Sequence, residues 1–150
     1  MVITMKHKEV KFKKVDEKYL DEIFLLLQQL TKIDYSNRSK IDCWNKFTSN
    51  NSNNGVVGIY KNRVIAYGNI VIENKIRGEL AGHIEDIVVD KKMRRKNIGI
   101  KLINKLVKIG KKKGCYRVTL TCDNSLVNFY EKNEFKVNDI AMKRFINYEL

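Results

Sequence analysis

Apolar positions along this chain switch between two periods, and the switches predict nearly every element. Residues 9–15, EVKFKKV, alternate with Val10 and Phe12 on one face, which predicts a strand. The stretch DEKYLDEIFLLLQQL (16–30) then repeats at helical spacing, with Tyr19, Ile23, Leu26, Leu27 and Leu30 as its core face. Asp16 is its expected N-cap, and Glu17 suits the positive first turn. Ser39 caps a second helix, KIDCWNKFTS, with Ile41, Trp44 and Phe47 inward. SNNSNNG (49–55) is a polar loop and the segment most prone to disorder. The β-branched runs 56–60 and 64–73 predict a hairpin joined at Lys61–Arg63. Gly68, inside its second arm, marks a bulge or a close approach. A connector, NKIRGELAG (74–82), leads to a strand over about Ile84–Val89, a basic loop, and a helix from near Gly99 to Lys113. That helix turns Ile98, Leu102, Ile103, Leu106 and Ile109 inward and Lys101, Lys105, Lys108 and Lys112 outward. YRVTLTC (116–122) reads as a strand, and Ser125 or Asn124 caps a short helix, LVNFYEKN. A last strand is expected over about Ile140–Ile146.

Antiparallel strands come first and a βαβ crossover follows, so the fold class is mixed α+β, with helices on both faces of the sheet. At 150 residues the chain is expected to form a single domain, 1–150. Its hydrophobic content of 43% argues against a disordered basic chain. No apolar run approaches the ~20 residues of a membrane span. The N-terminus shows no signal-peptide core, so a cytoplasmic protein is expected. The net charge of +13 points to polyanionic or phosphorylated partners. About half of that excess is assigned to a Lys-, Asn- and Ile-rich, Pro-free composition rather than to function. Cys43, Cys115 and Cys122 form no CxxC or zinc spacing; Cys115 and Cys122 flank or lie in an expected buried strand, where reduced Cys behaves as a small hydrophobe, and a nucleophilic role is the lesser alternative.

Two places could carry chemistry. Between Lys91 and Lys113 there are eleven Lys or Arg and no acidic residue. Arg94-Arg95-Lys96-Asn97-Ile98-Gly99 leads into a helix whose first N–H groups are unpaired. The loop is neither GxxxxGK[ST] nor GxGxxG. It reads equally well as a pyrophosphate cradle or as a solvated basic loop. Just before it, Glu85 and Asp86 lie within a strand, and adjacent strand residues face opposite ways unless the strand bulges. Taken alone, Phe129 and Tyr130 read as core aromatics, Lys75 and Arg77 as surface charge, and His83 as a structural hydrogen-bonder.

The pattern Arg94-x-x-Asn97-x-Gly99 resembles the acetyl-CoA loop of the GNAT N-acetyltransferases, Q/R-x-x-G-x-G/A. GHIEDIVV (82–89), IGIKLINKLVKIGKKKGCY (98–116) and VNFYEKNEF (127–135) together resemble one branch, the glucosamine-6-phosphate N-acetyltransferases. The similarity covers about residues 64–145. It implies a mostly antiparallel twisted GNAT sheet and a homodimer whose C-terminal strand is exchanged. It implies acetyl transfer from acetyl-CoA to the amine of glucosamine 6-phosphate, for UDP-N-acetylglucosamine synthesis. By the same resemblance, Ile87, Val88 and Val89 pair with the pantetheine arm, and Arg94, Arg95, Lys96, Asn97, Ile98 and Gly99 hold the pyrophosphate. Glu85 and Asp86 lie near the amine, and Tyr130 protonates the departing thiolate. Thr31, Lys75, Ile76, Arg77 and Gly78 match sugar-phosphate positions, and Lys143 or Arg144 is contributed by the partner subunit. Direct transfer needs neither an acyl-Cys nor a metal, and no nucleic-acid partner is implied.

The chain departs from that pattern at particular positions. Asn97 and Arg95 stand where the loop commonly has Gly, Leu126 where the family has Asn, and Glu134 where it has Gly before Phe135. The segment 79–82 is shorter than in familiar members. Two rival readings stand beside this one: the same fold acting on another amine, and a basic nucleic-acid-binding module. Against the second, the aromatics sit mostly at core spacing.

Overall fold

The computed structural model describes residues 9–32 and 39–147. In chain order its elements are β1 (Lys11–Lys14), α1 (Leu20–Leu30), α2 (Lys40–Ser49), β2 (Asn53–Tyr60), β3 (Arg63–Asn74), β4 (Leu80–Val89), α3 (Ile98–Lys113), β5 (Cys115–Thr119) and α4 (Val127–Glu131). The chain divides into two compact units at Leu120/Thr121.

The first unit is built on one sheet, ordered β1-β2-β3-β4-β5. The first three pairings are antiparallel, and β4–β5 is parallel. A parallel pair needs a crossover, and α3 supplies it. Asp16 starts the α1 region as expected: its carboxylate accepts from Lys18 N–H at 3.0 Å and opens a 3-10 turn, Glu17–Tyr19, that runs into α1. One sheet face packs Val57, Val64, Tyr67 and Val88 against Ile23 and Leu26 of α1. Glu22 ties that helix down by accepting from Val64 N–H at 2.8 Å. The α3 side buries Leu102, Ile103 and Leu106 completely, and Ile70 of the sheet is as fully buried. Burial of each such side chain stabilises by about 1.5–3 kcal/mol. Gly114 ends α3 with φ +92, a left-handed cap that suits Gly.

Several expectations need correction. Leu30, the last residue of α1, is exposed, although Leu27 in the same turn packs against the core. Ile41 is exposed too, and α2 buries no residue fully; Trp44 and Phe47 stack on each other at 6.5 Å. Ser39 does cap α2, accepting from Asp42 N–H at 3.4 Å. The polar loop is shorter than expected, since Asn53, Asn54 and Gly55 belong to β2. The buried Asn69 explains this: its carbonyl accepts from Asn54 N–H at 2.9 Å and its amide donates to Asn53 at 3.1 Å. Tertiary hydrogen bonding thus overrides poor strand propensity. The hairpin turn is only Lys61-Asn62, both with positive φ, as a two-residue hairpin requires. β5 starts at Cys115 and stops at Thr119, so Leu120, Thr121 and Cys122 lie beyond it. Ile109 is half-buried, and Gly110 takes the fully buried position.

In the second unit, neither Ser125 nor Asn124 caps the helix; a 3-10 turn, Asn124–Leu126, leads into α4 without a side-chain cap bond. The expected final strand does not form among the described residues. Val137, Ile140, Met142, Phe145 and Ile146 are exposed there. A segment without a ladder partner among the described residues of its unit has nothing there to hold it as a strand.

Candidate active site

The register between β3 and β4 slips once, and it slips at the two acidic residues. Asn69 pairs with Glu85 and Tyr67 pairs with Val88, so Asp86 and Ile87 together face Gly68. This two-against-one count is a β-bulge. Asp86 takes φ +55, and a Cβ on Gly68 would stand 2.6 Å from Ile87 Cδ1 and 3.0 Å from Leu106 Cδ1. Gly68 therefore serves both expected purposes, bulge and close approach. The bulge breaks the alternation that would otherwise send Glu85 and Asp86 to opposite faces.

The bulge also tunes charge. Asp86 is an exposed residue, yet protein packed around its carboxyl raises that group's pKa. The Tyr67 phenol, buried beside it, is pushed well up, first by burial and then by the charge of Asp86. Tyr67 was not expected from the sequence, where it reads as an ordinary strand aromatic.

β4 is unevenly paired along its other edge. The β4–β5 ladder ends at His83↔Thr119, where β5 itself ends, while β4 continues to Val89. From Ile84 to Val89, β4 forms no further rung with β5.

The strand then hands over to the basic loop. Arg94 folds back, its Nε–H donating to Val89 carbonyl at 3.2 Å. Lys91 N–H donates to Gln29 of α1 at 3.0 Å, which anchors the loop's entry. Arg95 and Asn97 both adopt left-handed φ, +67 and +59. These are the two positions where Gly was noted as common, so the backbone keeps a glycine-type turn with side chains on it. Asn97 precedes α3 and its side chain makes no capping bond. The N–H groups of Ile98 and Gly99 therefore start a helix with its positive end toward the loop, an arrangement that suits an anion.

The expected sugar-phosphate residues are spread out. Thr31 is the exposed C-cap of α1, two residues beyond Gln29, and so lies at the loop end of β4. Lys75, Ile76, Arg77 and Gly78 form a tight turn at the other end, with Gly78 N–H to Lys75 carbonyl at 2.8 Å. Along a strand rising ~3.3 Å per residue, that turn stands roughly 20 Å from Glu85. Lys75 holds Glu73 at 3.2 Å, Arg77 pairs with Glu79 and reaches the Tyr116 hydroxyl at 3.0 Å, and Ile76 is fully exposed. In the second unit, Tyr130 is buried between Phe129 and Phe135, both edge-on to its ring. Burial first, then Cys122, raises its phenol pKa. Lys143 and Arg144 lie in the irregular segment, with the Lys143 ammonium over the Phe145 ring at 5.5 Å. His83 has the structural role expected of it, with both ring nitrogens hydrogen-bonded.

Known proteins resemble this chain in sequence and in fold. The model of the acetyltransferase (GNAT) family matches residues 20–135. Glucosamine 6-phosphate N-acetyltransferase 1 of Dictyostelium discoideum is 34% identical over 125 residues, covering 80% of each chain. The crystal structure of glucosamine-6-phosphate N-acetyltransferase from Arabidopsis thaliana superposes with a TM-score of 0.85 at 29% identity, over 93% of this chain and 99% of that one. An acetyltransferase structure from Trypanosoma brucei gives a TM-score of 0.84 at 26% identity, over 92% of this chain and all of the other. With a bulged, half-paired β4 that runs into a left-handed basic loop, and with these relatives, the chain belongs to the GNAT acetyltransferase family.

Proposed function

We propose that this single-domain enzyme transfers the acetyl group of acetyl-CoA to the amine of glucosamine 6-phosphate, giving N-acetylglucosamine 6-phosphate for UDP-N-acetylglucosamine synthesis. The observation that carries the reading is the bulge that sets Asp86 and Ile87 opposite Gly68, next to Glu85 and beside the unpaired edge of β4. The 34% identity to the Dictyostelium enzyme over 80% of both chains supports the choice of amine.

In this reading the pyrophosphate of acetyl-CoA lies on the N–H groups from Arg95 to Gly99, with Arg94, Arg95 and Lys96 adding charge. The pantetheine arm pairs with Ile87–Val89 as an added strand would. The free amine attacks the thioester carbonyl, and a β4 N–H stabilises the developing oxyanion by about 3 kcal/mol. The proton leaves the amine for Glu85 or Asp86, directly or through water. Burial moves the Asp86 pKa upward, the direction that suits a general base working near neutrality. The C–S bond then breaks, and Tyr130 gives the CoA thiolate its proton; a phenol with a raised pKa is still protonated at neutral pH.

Thr31, Lys75, Ile76, Arg77 and Gly78 hold the sugar phosphate in this reading. The wide spacing between the turn and Glu85 is met if the turn serves the site of a second copy. The exposed apolar side chains of 137–146 fit a strand that exchanges between two copies and brings Lys143 or Arg144 with it. We place the reaction in the cytoplasm. The test is a free-thiol assay with acetyl-CoA and glucosamine 6-phosphate, glucosamine or glucosamine 1-phosphate. CoA release with the 6-phosphate alone is expected. Release with no sugar, but with a protein N-terminus or lysine, would move the chain to another acceptor.

A further inference from the structure

The last rung between β4 and β5 carries a side-chain bridge, Glu73–His83–Thr119, whose three members have no part in the proposed transfer. His83 Nδ1 lies 2.7 Å from Thr119 Oγ1, and His83 Nε2 lies 2.9 Å from Glu73 Oε2. Both oxygens of Glu73 accept from Lys75 Nζ at 3.2 Å. The chain of bonds thus runs from β3 through β4 to β5, across the strands. The pull of His83 and Lys75 holds the Glu73 carboxyl below the usual range. His83↔Thr119 is also where the parallel ladder stops and the free edge of β4 begins.

A two-strand parallel ladder that ends in open space frays from its last rung, since nothing beyond holds the strands in register. Here the ladder is short, and its first rungs are irregular between Leu80 and Ala81. Backbone pairing alone therefore fixes the end of β5 weakly. The imidazole is a rigid bridge: as a neutral ring it can donate from Nε2 to Glu73 and accept the Thr119 hydroxyl at Nδ1, which uses both nitrogens. His83 also stands two residues before Glu85, hence on the same face of β4.

We infer that His83, oriented by Glu73 and bonded to Thr119, is a positioning residue that pins the end of β5 to β4 and so fixes where the free edge of β4, the proposed acetyl-CoA edge, begins. The inference rests on the proposed acetyl-CoA site. Its test reads acetyl-CoA binding directly, without any acceptor. Thr119→Val removes the hydroxyl while keeping the branched shape, and Thr119→Ser keeps the hydroxyl.

The expected result, by calorimetric titration with acetyl-CoA, is roughly fivefold weaker binding for Thr119→Val, the size of one lost hydrogen bond. Thr119→Ser should return to within twofold of wild type, since the hydroxyl is what matters. In steady-state assays KM for acetyl-CoA should rise while KM for the sugar phosphate holds. Glu73→Ala, on an exposed residue, should weaken binding in the same direction and serves if Thr119→Val does not fold. Unchanged binding in folded Thr119→Val and in Glu73→Ala overturns the inference and leaves the proposed function standing. A wild-type protein that binds no acetyl-CoA overturns both.

Discussion

Gly68 of β3 lies so close under Ile87 of β4 that a Cβ on it would come within 2.6 Å of the Ile87 side chain. The contact explains how one residue can face two: Asp86 and Ile87 arch over a position with no side chain. Gly68→Ala should therefore cost about 1–3 kcal/mol of stability through overpacking. It should also flatten the bulge, so acetyl-CoA affinity should fall with stability. Thermal melts and titration with acetyl-CoA check both. A folded Gly68→Ala protein with wild-type affinity would show that the bulge is not needed for the cofactor.

Asp86 should separate catalysis from stability. Its folded pKa is raised, so the native state holds this proton more tightly than the unfolded chain does. Stability from the group is thus greatest below the ordinary carboxylate pKa and falls as pH rises through the window up to the folded pKa. Asp86→Asn removes that penalty. The variant should melt higher than wild type near neutral pH, with the difference closing toward pH 3. If Asp86 takes the amine proton, kcat should drop about 100-fold or more. Paired melts across pH and a pH–rate profile measure the two effects separately.

For Tyr130, the expectation is a change in rate rather than in binding. Tyr130→Phe keeps the edge-on packing against Phe129 and Phe135 and deletes only the hydroxyl. As the thiolate's proton donor, its loss should lower kcat about 10- to 100-fold with KM nearly constant. An unchanged kcat would sink the assignment.

Glu134 holds φ +67 just past α4, between Asn133 and Phe135, whose N–H groups both bond Tyr130 carbonyl. This is a helix C-terminal turn of the kind that Gly normally occupies. Glu134→Gly should relieve strain and raise stability by about 1 kcal/mol with no change in kinetics. Arg95→Gly relieves similar strain but removes a cradle charge, so its melting point should rise while KM for acetyl-CoA also rises. Denaturant titration of both variants, with kinetics alongside, checks the contrast.

Lys75 and Arg77 already have carboxylate partners in Glu73 and Glu79. If they nevertheless bind the sugar phosphate, Lys75→Ala and Arg77→Ala should raise KM for glucosamine 6-phosphate and leave KM for acetyl-CoA alone. Light scattering should report a dimer under the same conditions, because within one copy the turn is too far from Glu85. A fully active monomer would remove the cross-subunit role of this turn and of Lys143 and Arg144.

Local signals in the sequence were enough for the helices and the hairpin. Periodicity alone gives α2 and α3 to within a residue, because a helix face needs only neighbours in sequence to declare itself. The left-handed loop was legible too, in Asn97, and the departures at Arg95 and Glu134 turn out to sit on glycine-type backbone. Other features needed the partner strand. Asn53 and Asn54 read as loop until Asn69 satisfied them from β3. Segment 140–146 was expected as a strand, yet a strand needs a ladder partner, and none forms among the described residues of its unit. The sequence by itself determined the order of elements, the basic loop and the acidic pair that precedes it. Only the tertiary structure decided that Asp86, next to Glu85, sits in a bulge, since a bulge is a count of two residues against one on another strand, and no single strand contains that count.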